Sequence, residues 1–205
     1  MRKSPQLAKA RRSLALRVNR LPARLLAKTG LNPNVLTVAG LLLAFVVAWV
    51  LSTGHFFLGG FLVLVSGAFD LLDGALARAS GRITRFGALL DSTVDRFSEA
   101  AVFLGLLAYY ANQGSHQELV LVGAGLVGSM MTSYVRARAE GLGLTCEVGI
   151  FTRPERVIVL AIGLIFNQML VVLWIIAVLA NLIAWQRLFY VWRQTGGREK
   201  GGNNG

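Results

Sequence analysis

Acidic residues are scarce in this chain, and the first third has none: of ten Asp and Glu, none precedes Asp70. Cysteine is scarcer still. Cys146 stands alone, so an internal disulfide framework is excluded. Only 15% of the 205 residues are charged, whereas 55% are hydrophobic, and the mean hydropathy is +0.59. Several apolar runs approach the roughly 20 residues that cross a bilayer, a length that a helix in a soluble core does not need. These features predict a polytopic membrane protein folded as one compact unit, with no second domain. No secretory signal peptide is expected, because the first 28 residues carry nine Lys or Arg and no long apolar core.

The net charge of +11 is compatible with a nucleic-acid partner, but its distribution argues against one. The cations lie at the N-terminus, in alternate loops and at the C-terminus, as expected for flanks facing anionic lipid. No basic module interleaved with aromatics accompanies them, so no nucleic acid is expected as a partner.

In chain order, residues 5–28 read as a basic amphipathic helix. Leu7, Leu14, Leu16, Leu21, Leu25 and Leu26 alternate there with Lys9, Arg11, Arg12, Arg17, Arg20, Arg24 and Lys28. Such a helix suits the plane of a membrane interface. Asn32-Pro33-Asn34 then breaks the chain, and either Asn is a suitable N-cap. Six membrane spans are expected, at about 35–53, 56–80, 85–111, 117–141, 153–166 and 169–190. Arg153-Pro154 opens the fifth, with Pro well placed in a first turn. Asn167-Gln168 separates the fifth from the sixth, although 157–186 also reads as one long tilted helix.

No Lys or Arg lies between the first and second, third and fourth, or fifth and sixth spans, whereas the other connections and the tail are rich in Arg. The asymmetry predicts both termini and both basic loops on the cytoplasmic side. The expected fold class is therefore an all-α membrane protein with three parts: a juxtamembrane helix in 1–30, a six-helix catalytic domain in 31–192, and a disordered basic tail in 193–205.

All four aspartates fall between Asp70 and Asp95. In an apolar span each carboxylate costs about 2.5–3.5 kcal/mol, so an ionisable residue there marks a functional site by default. At 100° per residue Asp70, Asp73, Gly74 and Ala77 share a third of the second helix, with Arg78 at its edge. Gly87, Asp91 and Asp95 recur every fourth residue and form a stripe on the third. A short connection makes the two helices antiparallel neighbours, and the small residues admit a close helix or a ligand. Carboxylates converging without cations repel. Oxygen-only donors, with no His or Cys among them, suit Mg²⁺ or Mn²⁺. Four of them suit two metal ions that share a phosphorylated substrate. A set of helix-end aspartates paired with Arg78, Arg82, Arg85 and Arg96 is the plainer alternative, and it does not explain why four converge.

These eight fixed positions, D-x2-D-G-x2-A-R-x8-G-x3-D-x3-D, resemble the signature of the CDP-alcohol phosphotransferase family without a departure. Pro33-Asn34-x-x-Thr37 before the first span is similar as well. The resemblance implies transfer of a phosphatidyl-type group from CDP-diacylglycerol or CDP-archaeol to an alcohol, with release of CMP. It further implies that Asp70, Asp73, Asp91 and Asp95 are ligands of two Mg²⁺ or Mn²⁺ ions and that Asp95 is the catalytic general base. Asn34, Thr37, Asp70, Gly74, Ala77 and Arg78 resemble the positions that bind the CDP-lipid. A homodimer in the cell (plasma) membrane, with its active site at the cytoplasmic side, is implied too. No fixed position of the signature is Ser, Cys or His, so direct in-line attack without a covalent enzyme intermediate is expected.

The acceptor is expected to be a phosphorylated polyol. Ser133-Tyr134-Val135-Arg136-Ala137-Arg138 ends the fourth span and Arg153-Pro154-Glu155-Arg156 opens the fifth. Arginines so placed suit a phosphate, which arginine grips bidentately. As simple basic flanks they need no ligand. Both strings resemble the phosphatidylinositol-phosphate and archaetidylinositol-phosphate synthases of the family. That likeness implies L-myo-inositol-1-phosphate as acceptor, with Ser133, Arg136, Arg153 and Arg187 on its phosphate. The alternative acceptor is sn-glycerol-3-phosphate. A divalent-cation transporter is the alternative of another class; carboxylates clustered at helix ends, without an inverted repeat, speak against it.

Overall fold

The computed structural model describes residues 31–81 and 84–201, with side chains to Thr195. The amphipathic helix expected over 5–28 lies outside the described residues. Six helices follow: α1 Pro33–Ser52, α2 Phe56–Ser80, α3 Arg85–Gln113, α4 His116–Gly141, α5 Arg153–Ile165 and α6 Met169–Gly201. No strand occurs among the described residues.

The helix ends follow from local chemistry. The Asn32 side chain accepts the Asn34 backbone N–H at 3.0 Å and starts α1, with Pro33 as its first residue. Thr84 caps α3, its hydroxyl accepting the Gly87 N–H at 2.9 Å. At the start of α5, Glu155 reaches back to the Thr152 N–H at 2.9 Å in a capping box, and Pro154 follows the first helical residue. Helices stop where φ turns positive: Gly81, Gly114 and Gly143 follow α2, α3 and α4. Asn167, at φ 53°, ends α5, and the Gln168 N–H returns to the Gly163 carbonyl at 2.8 Å. The turn expected at Asn167-Gln168 is therefore present, and the single long helix is not.

The six helices stand where six spans were expected, and one boundary needs correction. Four of the six, α1, α2, α4 and α6, are long and apolar enough to cross a membrane. The first half of α3 carries Arg85, Asp91, Asp95, Arg96 and Glu99. The 13 residues of α5 extend only ~20 Å at the helical rise, short of the ~30 Å hydrocarbon core. The sixth helix, expected to end near 190 with a disordered tail from 193, instead continues to Gly201. No proline intervenes, and the helix continues despite Gly196 and Gly197, which are poor helix formers.

The chain also clusters as two compact units rather than the single one expected. One comprises Val65–Ser98 and the described part of Met1–Val46. It holds the aspartates. The other comprises Val47–Leu64 and Glu99–Gly205. Its core includes Val47, Leu51, Phe103, Leu106, Val122, Leu164, Leu173 and Ile176, and both α4 and α5 pack against α6. Close helix approach there depends on small residues: a Cβ on Gly105 would run into the backbone of Ala48. Trp49, Phe57, Phe61, Leu104, Val120, Trp174 and Trp185 are exposed, an outward apolar surface suited to lipid.

Candidate active site

In the first unit Thr37 of α1, Asp70 of α2 and Asp91 of α3 act on Asp73 of α2. Asp73 is 3% exposed, and the Thr37 hydroxyl donates to its Oδ2 at 2.8 Å across 36 residues. Thr37 also lies 3.1 Å from the Pro33 carbonyl, so the one proton is shared with the helix backbone. The other Asp73 oxygen accepts the Gly74 N–H at 2.5 Å. The charges of Asp91 and Asp70 both act on Asp73, which places three of the four aspartates in one electrostatic neighbourhood. Asp70, Asp91 and Asp95 are partly exposed.

Glycines make this convergence possible. A Cβ on Gly40 would lie 3.5 Å from Asp70 Oδ1, so α1 passes close to the first aspartate. A Cβ on Gly87 would come within 3.2 Å of Asn34 Oδ1 and 2.9 Å of the capping Thr84 hydroxyl. Asn34 is thus brought to the start of α3. On α2, a Cβ on Gly74 would lie 3.4 Å from Arg78 Nη1, so the exposed guanidinium folds back along the helix toward the aspartates. Ala77 is partly exposed one residue before Arg78.

Among the described residues, no three His, Cys, Asp or Glu side chains are gathered at cation-ligand spacing. The donor chemistry nonetheless fits a hard divalent cation. It is all oxygen, and Asp73 is buried beside two like charges, which a cation would offset.

The second unit holds the expected acceptor residues. Arg187 is 4% exposed and donates from Nε to the Val148 carbonyl at 2.9 Å and from Nη1 to the Thr132 carbonyl at 2.7 Å. Ser133 is the neighbour of Thr132 and is partly exposed. Arg153 is partly exposed at the first position of α5. Arg136 is exposed and paired with Glu140 one turn on at 2.8 Å, yet its charge and that of Arg156 still act on Arg187. Sequence reasoning missed the partner of Arg156, which is Glu99, held through two hydrogen bonds of 2.7 and 2.9 Å. The available signal was the position of Glu99, four residues after Asp95 on the same stripe.

The profile of the CDP-alcohol phosphatidyltransferases matches residues 31–192, which takes in every signature position. The chain belongs to this family. The phosphatidylinositol phosphate synthase of Mycobacteroides abscessus is 39% identical over 191 residues, covering 89% of this chain and 86% of that protein. The archaetidylinositol phosphate synthase of Pyrococcus horikoshii is 36% identical, covering 80% of this chain and 85% of that one. The crystal structure of the Mycobacterium tuberculosis phosphatidylinositol phosphate synthase with CDP-DAG bound superposes with a TM-score of 0.79 at 37% identity. It covers 86% of this chain and 94% of that one. A second structure of that synthase, in complex with manganese and citrate, gives 0.76 at 37% identity over 85% of this chain and 88% of that one. The protein is accordingly a transferase of phospholipid synthesis, a CDP-alcohol phosphatidyltransferase with membrane-spanning helices.

Proposed function

We propose that this CDP-alcohol phosphatidyltransferase moves a phosphatidyl or archaetidyl group from its CDP-linked lipid to a hydroxyl of L-myo-inositol-1-phosphate, releasing CMP. The observation that carries the reading is the pairing of a complete aspartate signature with extensive likeness to two synthases. Their names share the inositol phosphate headgroup and differ only in the lipid.

Asp70, Asp73, Asp91 and Asp95 would hold two Mg²⁺ or Mn²⁺ ions. Bound there, divalent ions supply charge neutralisation to a diphosphate and to the attacking and leaving oxygens. Everything else falls to the chain itself. Thr37 and the Gly74 amide fix the Asp73 carboxylate, so it does not reorganise during reaction. Asn34, Gly74 and Ala77 receive the nucleotide, and the Arg78 guanidinium faces the charge that builds on departing CMP. Asp95 accepts the proton of the acceptor hydroxyl as that oxygen attacks phosphorus. No covalent enzyme intermediate forms.

On the acceptor side, Ser133, Arg136, Arg153 and Arg187 bind the phosphate. The buried Arg187 supports this, since its two protein acceptors are neutral carbonyls and leave its positive charge for an anion. The protein works as a homodimer in the cell membrane with both termini and the active site on the cytoplasmic side.

The test is CMP release by purified protein given CDP-diacylglycerol or CDP-archaeol and Mg²⁺. Inositol-1-phosphate, glycerol-3-phosphate, serine or free inositol is then supplied separately. Release with inositol-1-phosphate is expected. Release with serine or free inositol alone would overturn the phosphate reading, and release with glycerol-3-phosphate alone would change the acceptor.

A further inference from the structure

Among the described residues, one buried ion pair has no part in the function just proposed. Glu99 and Arg156 are 8% and 2% exposed, joined from Oε1 to Nε at 2.7 Å and from Oε2 to Nη2 at 2.9 Å. The third guanidinium nitrogen, Arg156 Nη1, is buried with no hydrogen-bond partner among the described residues. Burying such a pair rarely adds stability over well-packed apolar residues, because desolvation offsets the attraction. A buried, bidentate pair does fix geometry, since the planar fork meets a carboxylate in only one plane.

The position of Glu99 indicates which geometry. Asp91, Asp95 and Glu99 recur every fourth residue on α3, so at 100° per residue the three fall within about 80° of one face of the helix. Holding one member of a stripe fixes the rotation of the whole helix about its axis. We propose that Arg156, acting through Glu99, is a positioning residue that sets the rotation of α3 and with it the direction of Asp91 and Asp95. A rotation of one residue step, 100°, would turn both carboxylates off their face. Arg156 sits in the first turn of α5, where the Thr152–Glu155 capping box and Pro154 hold it on a fixed backbone. The inference rests on the reading of Asp91 and Asp95 as cation ligands.

Its test is Mn²⁺ titration of the purified full-length protein in nanodiscs, followed by calorimetry or electron paramagnetic resonance, beside the melting temperature and the kcat and KM for the CDP-lipid. Arg156→Lys keeps the charge and loses the fork. Glu99→Leu with Arg156→Met removes both charges together and strands neither. In each, Mn²⁺ affinity and kcat are expected to fall tenfold or more while the CDP-lipid KM moves less than threefold. The double variant should melt near the parent temperature. Unchanged Mn²⁺ affinity in Arg156→Lys overturns the positioning role, even if the double variant fails to fold. Asp91→Asn separates the two readings. Lost Mn²⁺ binding there, with none lost in Arg156→Lys, overturns the positioning role and leaves the cation site standing. Full Mn²⁺ binding in Asp91→Asn overturns the cation site and the positioning role with it.

Discussion

Thr37, one turn into α1, donates its hydroxyl to the buried Asp73 of α2 at 2.8 Å, and this bond ties the helix after Asn32-Pro33-Asn34 to the first half of the aspartate signature. A hydrogen bond to a charged group contributes about 1.5–3 kcal/mol, and a buried carboxylate stripped of its donor loses at least that. Thr37→Val keeps the shape and removes the donor. It is expected to lower kcat at least tenfold and to reduce the melting temperature, whereas Thr37→Ser restores both. Equal kinetics in Thr37→Val would separate this bond from catalysis.

Asp95→Asn is expected to abolish turnover while CDP-lipid binding, read by ligand-induced stabilisation, stays within a few-fold of the parent. The amide keeps the size of the side chain and loses the basicity that a hydroxyl donor needs. Substantial CMP release from Asp95→Asn would assign the base elsewhere.

Gly87→Ala tests the close approach of α1 and α3. The new methyl would meet the Thr84 hydroxyl at 2.9 Å and Asn34 Oδ1 at 3.2 Å, so the helix cap or Asn34 must shift. Loss of a threonine cap costs about 1 kcal/mol. The expected result is a CDP-lipid KM raised five-fold or more with a modest loss of thermal stability. An unchanged KM would remove Asn34 from the nucleotide site.

Much of this was legible beforehand, and the reasons are local. Helix α2 was expected at 56–80 and runs Phe56–Ser80; α4 was expected at 117–141 and runs His116–Gly141. Their ends are marked by residues whose backbone preferences act alone, such as Gly81, Gly114 and Asn167. The signature was legible for a similar reason, because four-residue spacing translates into a helix face without tertiary knowledge. Arg156 was not. In sequence it is one of several arginines flanking α5, and only packing shows that it is buried on Glu99. Arg187 likewise reads as a basic flank, and its bonds to the carbonyls of Thr132 and Val148 span 55 and 39 residues. All six helices expected as spans are present, and four of them are long and apolar enough to cross a membrane; α5 is short and the first half of α3 is charged.

Cys146 lies in the loop after α4, 1% exposed, and burial pushes its thiol pKa up, with Arg187 only partly opposing the shift. The folded state therefore keeps its proton at a pH where the unfolded chain, with a thiol near 8.5, has begun to lose it. Below that pH both states are protonated and the thiol contributes no pH dependence. Above it the unfolded state binds fewer protons, so stability falls as pH rises toward the folded pKa. Denaturation midpoints measured from pH 7 to 10 should decline more steeply in the parent than in Cys146→Ala. Iodoacetamide should modify the thiol only after unfolding. Rapid alkylation of the native protein at pH 8 would contradict the burial.

Arg187→Lys keeps a positive charge and gives up the fork that reaches the Thr132 and Val148 carbonyls at once. A lysine ammonium is a compact point charge, so at least one of these carbonyls loses its partner, at a cost of about 1–3 kcal/mol. The loop around Gly149 lies beside the same guanidinium, since a Cβ added to Gly149 would stand 3.5 Å from Arg187 Nε, so loosening Arg187 loosens that loop. If Arg187 also holds the acceptor phosphate, the kinetic defect is specific. The KM for inositol-1-phosphate should rise at least ten-fold, with the CDP-lipid KM nearly constant. Raising the ionic strength should widen the gap, since the remaining contact is more exposed to screening. A loss of kcat alone, with the acceptor KM unmoved, would mean that Arg187 braces the loop and does not touch the phosphate.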